Sequence, residues 1–180
     1  MLRLALAAAA LAPLHAEASE SAEAREQARL CERSSGADGV EACRAALALG
    51  VAPERRPALR EQLARQLVAL EDWEALAELY REGVRLEPRS AAAWRRLGLT
   101  LLFALSQPNE AVSALEQAVA FAPESAEARL GLAEALSAAR RPAEAAQTFD
   151  VALRLDARCL DGRPAARAAF AAARRGEPWP

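Results

Sequence analysis

The chain has 180 residues, enough for one domain with a buried core, and 53% of them are apolar. All 23 basic residues are arginine and 25 acidic residues nearly balance them, so the charge gives no basis for binding nucleic acid. The absence of lysine excludes Schiff-base chemistry and the lysine of a phosphate-binding P-loop, and the single histidine, His15, lies near the N-terminus. Alanine occurs 49 times and leucine 27 times against 4% aromatic residues, which predicts an all-α fold.

The first predicted element is a signal peptide over residues 1–16. The positive charge of Arg3 precedes an apolar run, residues 4–14, which is too short to cross a bilayer and ends in small residues. Cleavage is expected after Ala16, with Ala18 as the second choice. An uncleaved anchor and an ordinary first helix are the competing interpretations. Exclusive use of arginine is typical of a GC-rich genome. Together with the signal peptide, it predicts export to a bacterial periplasm.

Residues 17–55 are predicted to form a helical hairpin. Cys31 and Cys43 are equally far from residue 37, which lies in the polar, glycine-containing turn 34–39. Residues at equal distances from the turn of an antiparallel hairpin face each other, so the geometry allows a disulfide, which would suit an exported protein. Two reduced, buried cysteines are the alternative. Cys159 is left over, either as a free buried thiol or as an attachment point for a partner.

A repeat of about 34 residues organises residues 56–159. In the first helix of each unit, a leucine followed by a small residue recurs at the same spacing, at Leu63-Ala64, Leu97-Gly98 and Leu132-Ala133. In the second helix the aligned sets are Leu76, Ala111 and Ala145, then Tyr80, Leu115 and Phe149, then Gly83, Ala118 and Ala152. Pro88 and Pro123 close the first two units. The second unit contains one extra residue, for which the turn 106–109 is the simplest place.

These residues resemble the tetratricopeptide repeat, and the best unit carries Trp94, Leu97-Gly98, Ala111, Leu115, Ala118 and Pro123. The resemblance implies an α-α superhelix of three repeats, at about 56–90, 91–125 and 126–159. Small residues on the first helix would allow it to approach the second helix, where Gly83, Ala118 and Ala152 would supply the facing small surface. The bulky residue of each second helix would fill the gap to the next unit. The sequence departs from the family pattern at Leu76, Arg60, Arg129 and Ala157.

The flanking segments complete this predicted architecture. Residues 17–55 are interpreted as a degenerate first repeat. Residues 160–180, with a helix that begins at Pro164, are interpreted as a capping helix and tail, because the open end of a solenoid needs a cover with one polar face.

The resemblance also implies a concave groove on the first helices, where this family usually accepts an extended peptide or a partner helix. The predicted groove residues are Glu61, Arg65, Arg95, Leu99, Leu102, Phe103, Leu130 and Glu134. An apolar middle with arginine at one edge suits a segment that carries apolar anchors and a carboxylate. The alternative is that Leu99, Leu102 and Phe103 pack on adjacent helices.

The predicted function is a non-catalytic scaffold or adaptor for protein interactions in the bacterial cell envelope. No phosphate loop, nucleophile elbow or metal-ligand spacing occurs in the sequence, so we expect no cofactor and no metal. The partner would be a protein or peptide, with no nucleic acid and no membrane span in the mature chain. The absence of lysine disfavours the clamp that binds chaperone tails. The alternative is a structural subunit of a self-associating or larger envelope complex for secretion, pilus formation, outer-membrane assembly or cytochrome maturation.

Overall fold

The computed structural model describes residues 20–177, which contain nine α-helices and no strand. The helices are α1 (Ala22–Arg33), α2 (Gly36–Ala48), α3 (Arg56–Ala69), α4 (Trp73–Leu86), α5 (Ala91–Phe103), α6 (Pro108–Phe121), α7 (Ala126–Ala138), α8 (Pro142–Leu155) and α9 (Pro164–Arg174). The all-α prediction is confirmed. None of the helices in the described part of the chain is long and apolar enough to cross a membrane. The predicted signal peptide, residues 1–16, lies outside the described residues.

The chain divides into two compact units, residues 1–62 and residues 63–180. In the first unit, α1 and α2 form a hairpin that is closed by a disulfide between Cys31 and Cys43, with their Cα atoms 4.6 Å apart. Both cysteines are fully buried. The turn between the helices is shorter than predicted, because α2 begins at Gly36, whose φ of 69° suits glycine. The disulfide expected from the cysteine spacing is therefore present in a tighter hairpin.

An ion-pair network joins the segment after this hairpin to the hairpin itself. The guanidinium of Arg55 lies 3.2 Å from the carboxylate of Glu20 and 3.1 Å from that of Glu32. Arg55 ends the short 3-10 helix Pro53–Arg55, so one side chain holds this segment against both ends of α1. The first unit thus combines a covalent and an electrostatic connection.

The second unit is a stack of antiparallel helices in which each helix from α4 to α9 contacts the next one along the chain. Two further contacts, α5 with α7 and α7 with α9, join helices that are one hairpin apart. Since α7 contacts α5, α6, α8 and α9, it is the central helix, and its residues 130–137 are all buried. This is the packing expected of stacked helical hairpins.

The helix starts in the second unit follow the local sequence. The hydroxyls of Ser90 and Ser125 cap α5 and α7 by accepting hydrogen bonds from backbone N–H groups in the first turn, and the carboxylate of Asp72 caps α4 in the same way. The helices α6, α8 and α9 begin with proline, which needs no hydrogen-bond acceptor in the first turn. Each boundary is therefore stabilised by its own short-range chemistry.

The turns inside the hairpins repeat one backbone conformation. Glu71, Ser106 and Arg140 all have positive φ values, of 55°, 54° and 60°. Ser106 is the third residue after the end of α5, whereas Glu71 and Arg140 are the second residues after α3 and α7. The extra residue of the middle repeat consequently lies between Phe103 and Ser106. The extra residue therefore precedes the turn 106–109, where the repeat spacing had predicted it.

A side-chain hydrogen bond also recurs at the boundary between one repeat and the next. The indole Nε1 of Trp94 donates to the carbonyl of Pro88 at 2.9 Å, and Nε of Arg129 donates to the carbonyl of Pro123 at 3.1 Å. Arg129 departs from the family pattern in sequence, yet it makes the same contact as Trp94 from the aligned position. A long arginine can replace tryptophan here because its donor reaches equally far.

Leucine 115 fixes the spacing of the helices in the middle of the stack. Its side chain is fully buried and occupies the space above two glycines, Gly98 of α5 and Gly131 of α7. A Cβ atom at position 98 would lie 2.5 Å from Cγ of Leu115, and one at position 131 would lie 3.1 Å from its Cδ2. The predicted close approach at Gly98 is therefore present. The expectation for Gly83 is wrong, since no atom lies within 4 Å of the place where its Cβ would be.

The last helix covers α7 and α8. Alanines on one face of α9 are buried, and the ring of Phe170 lies 5.3 Å from the ring of Phe149 on α8. The guanidinium of Arg174 lies over the outer side of Phe170, 5.6 Å from the ring centre. The arrangement, apolar inside and arginine outside, agrees with the role of a cap.

Replacing Gly98 with alanine should lower the free energy of unfolding by about 1–2 kcal/mol, because the clash with Leu115 outweighs the better helix propensity of alanine. The matched change Gly83→Ala should raise it by about 0.5–1 kcal/mol, since the added methyl meets open space. Denaturant unfolding followed by circular dichroism measures both. Equal effects of the two substitutions would contradict the assigned packing.

Removing the disulfide with the double substitution Cys31→Ala and Cys43→Ala should cost about 3 kcal/mol of stability, because the unfolded chain regains the entropy of an open loop. A reductant should destabilise the wild-type protein by a similar amount and leave the double variant unchanged. A reductant effect on the variant would show that another bond is responsible.

Candidate functional site

Most of the predicted groove residues meet on one surface, formed by the first helices of two adjacent hairpins. Leu99, Leu102 and Phe103 come from α5, and Leu130 and Glu134 come from α7, which contacts α5. They differ strongly in exposure: the side chain of Phe103 is 58% exposed, whereas that of Leu130 is 0% exposed. Leu130 thus supports the surface from below. We refer to these five residues as the α5–α7 surface.

Phe103 separates two depressions in this part of the protein. The larger one, which we call the α4–α5 cavity, has a volume of about 380 Å³. It is lined by Trp73, Leu76, Leu99, Thr100, Phe103 and Ala104. The smaller one, the α5–α7 pocket, has a volume of about 150 Å³. It is lined by Leu102, Phe103, Glu134 and Ala138. One exposed aromatic ring therefore borders a mainly apolar cavity on one side and a carboxyl group on the other.

Glu134 is the chemically unusual group of this surface. It is only 7% exposed, and burial raises its pKa from 4.5 to about 7, although the positive charge of Arg163 lowers the pKa to some extent. Within residues 20–177 no side chain donates a hydrogen bond to this carboxyl group. The hydroxyl of Ser137, three residues further along α7, is also buried and has no hydrogen-bond partner among the described residues. Of these two groups, the carboxyl group of Glu134 lines the pocket.

Arg163, whose charge acts on Glu134, belongs to an ion-pair network with Glu127 and Arg95. The carboxylate of Glu127 lies 3.2 Å from the guanidinium of Arg95 and 3.1 Å from that of Arg163. Arg163 therefore acts on Glu134 through its charge while it donates its hydrogen bond to Glu127. Arg95, the arginine predicted for the edge of the groove, thus has its charge balanced by a neighbouring carboxylate.

The two remaining predicted groove residues belong to α3. Arg65 is exposed and lies in the second compact unit, whereas Glu61 is half-buried and lies in the first. The binding role of all eight residues stays a prediction, since their positions alone do not establish a ligand.

Sequence reasoning missed five residues that line the depressions: Trp73, Leu76, Thr100, Ala104 and Ala138. Trp73 begins α4, while Ala104 and Ala138 lie at the ends of α5 and α7, so they reach the surface only because the hairpins are stacked. A signal for Trp73 did exist, because a tryptophan directly after the capping residue Asp72 has no place in the aligned repeat sets.

The described residues contain no cluster of three or more histidine, cysteine, aspartate or glutamate side chains that could hold a metal ion. Cys159, the third cysteine, is buried and free, and burial raises the pKa of its thiol. That shift keeps the thiol protonated and lowers its reactivity.

Comparison with known proteins finds a family model that matches part of the chain. Residues 102–172 match the model of the tetratricopeptide repeat family. Two solved structures of MamA align with a TM-score of 0.59. The ArsTM double mutant of MamA RS-1 is 20% identical and covers 88% of this chain and 96% of its own. MamA from residue 41 to its end, from Desulfovibrio magneticus RS-1, is 21% identical and covers 87% and 96%.

The TPR2AB domain of yeast Sti1, solved in complex with pHSP90, aligns with a TM-score of 0.53 at 17% identity and covers 84% of this chain and 69% of its own. A search of curated protein sequences found no significant match. At these identities the solved structures establish the fold alone.

The raised pKa of Glu134 predicts a pH-dependent stability. Between pH 4.5 and about 7 the folded protein keeps a proton that the unfolded chain releases, so wild-type stability should fall as the pH rises through this range and level off above it. Glu134→Gln removes this cost. The variant should match the wild type near pH 4.5 and exceed it by about 3 kcal/mol near pH 8.

Denaturant unfolding at several pH values measures this difference. Glu124→Gln, which removes an exposed carboxylate that precedes α7, controls for the general loss of one negative charge. A constant stability difference between wild type and Glu134→Gln across the pH range would contradict the assignment.

Proposed function

We propose that this chain, whose residues 102–172 match the tetratricopeptide repeat family, is a non-catalytic scaffold whose α5–α7 surface binds a peptide segment or a helix of a partner protein. The observation that carries this proposal is the exposure of Phe103 beside two depressions. Exposed aromatic residues next to apolar cavities are typical of interaction sites, because a partner can remove the ring from water and fill the cavity at the same time.

Helix stacking supports the same conclusion. The α5–α7 surface lies on well-packed helices, and its floor is formed by the buried side chains of Leu102 and Leu130. A rigid surface loses little conformational entropy when a partner binds, so more of the contact energy contributes to affinity. The solved complex of the Sti1 TPR2AB domain with pHSP90 illustrates partner binding by a protein of this fold.

A non-catalytic role agrees with the chemistry of the surface. Glu134 is the buried titratable group here, but its pocket neighbours Leu102, Phe103 and Ala138 offer no second acid, base or nucleophile. General acid–base catalysis needs a substrate-positioning group in addition to one proton donor. The carboxyl group is better suited to recognition.

We further propose that the protein acts in the bacterial cell envelope after cleavage of residues 1–16. The Cys31–Cys43 disulfide supports this location, because such bonds persist in oxidising compartments. The sequence of the leader supports it independently.

A second candidate function is that of a structural subunit that uses the same surface to bind its own copies or a larger complex. The observation in its favour is again the exposure of Phe103, since a second copy could cover the ring. Size-exclusion chromatography with light scattering distinguishes the two: a stable dimer that dissociates on Phe103→Ala favours self-association, and a monomer favours the adaptor.

Substituting Phe103 with alanine should reduce recovery of the partner at least about tenfold in a cross-linking pull-down from envelope extract, because the variant loses the aromatic contact at the centre of the surface. Phe121→Ala is the matched control, since Phe121 is also exposed, at 41%, but lies at the end of α6 outside both depressions. Arg65→Ala and Arg95→Ala test the edge of the predicted groove. Unchanged recovery with Phe103→Ala would disprove the assigned surface.

A further inference from the structure

The α5–α7 pocket differs from the rest of the surface, because it contains a carboxyl group with no hydrogen-bond donor among the described residues. Burial of such a group costs free energy unless an opposite charge or a donor compensates for it. Arg163 compensates only in part, since its hydrogen bond goes to Glu127. The pocket thus offers a carboxyl group of unmet hydrogen-bonding capacity to a ligand that enters it.

We infer that the partner segment inserts an arginine or lysine side chain into the α5–α7 pocket, where the cation pairs with Glu134, and places a neighbouring apolar side chain in the α4–α5 cavity. This inference rests on the proposed binding function and specifies the chemistry of its ligand. It differs from the expectation drawn from sequence, in which arginines of this chain hold a carboxylate of the partner.

Two features of the site support a cation. Glu134 lines the pocket and is more than nine-tenths buried, so a charged hydrogen bond to it would form largely out of water. Phe103 forms one wall, and the face of an aromatic ring attracts a guanidinium or ammonium group.

The charges around the site oppose the alternative, a partner carboxylate. Arg163, the cation whose charge acts on Glu134, already pairs with Glu127, as Arg95 does, so an incoming carboxylate would have to displace an existing ion pair. In the pocket itself the ionised form of Glu134 would repel it. A cation displaces neither ion pair and favours the ionised form of Glu134.

We expect an apolar side chain next to the cation because Phe103 borders both depressions. A segment that crosses the ring has one side chain over each. The α4–α5 cavity, at about 380 Å³ and lined by Trp73, Leu76 and Leu99, suits a bulky apolar side chain.

Selection from a displayed library of random-sequence peptides tests the inference with the full-length mature chain. The peptides that matter are those whose binding is lost with Phe103→Ala and kept with Phe121→Ala. Among them we expect an arginine or lysine next to a bulky apolar residue. In synthetic copies, replacing that arginine with its neutral analogue citrulline should weaken binding to wild type by about tenfold or more.

The variant Glu134→Gln completes the cycle. It should bind the arginine and citrulline peptides equally well, whereas the control Glu124→Gln should keep the wild-type preference. If Phe103-dependent peptides are found but citrulline binds as well as arginine, the cation inference is overturned and the binding surface stands. If no peptide depends on Phe103, both the inference and the proposed function are overturned.

Discussion

The packing of one leucine against two glycines determines the geometry of the second compact unit. Leu115 of α6 fills the space over Gly98 and Gly131, which belong to the first helices of two successive hairpins. A methyl group at Gly98 would lie 2.5 Å from Cγ of the leucine, which is a steric clash, so the helices can adopt this separation only with glycine there. One side chain thereby connects three helices, and the contact between α5 and α7 depends on it.

The functional surface is a consequence of that contact. When α5 and α7 lie side by side, the end of α5 faces the last turns of α7, and the pocket between Leu102, Phe103, Glu134 and Ala138 forms in the remaining space. The same packing buries Leu130 completely and leaves Phe103 in solvent. Core and surface are therefore set by a single arrangement, in which the buried leucines give rigidity and the exposed ring gives a point of attachment.

This arrangement lowers stability through the burial of Glu134. A carboxyl group on the most buried helix of the stack loses hydration, and this loss is the main cause of its raised pKa of about 7. A glutamine or leucine would remove the penalty, so the residue reduces stability at neutral pH in the unbound protein. Residues that cost stability in this way are expected at functional sites, where a ligand supplies the missing interaction. Glu134 therefore lowers the stability of the unbound protein and is also the residue proposed to select the partner.

The order of the helices, the repeat and the disulfide follow from sequence because they depend on local or periodic features. Pro164 indicates the start of the last helix, the spacing of Leu97-Gly98 and Leu132-Ala133 reveals the repeat, and the symmetric positions of Cys31 and Cys43 indicate their bond. Tertiary structure alone decided the rest. The hydrogen bond of Arg129, the open space at Gly83, the contribution of Trp73 to a cavity and the partnerless state of Glu134 all depend on which atoms of distant residues come together. A sequence pattern identifies which face of a helix packs, but the exposure of Phe103 and the burial of Glu134 depend on the distance between two helices, which Leu115 and its glycines set.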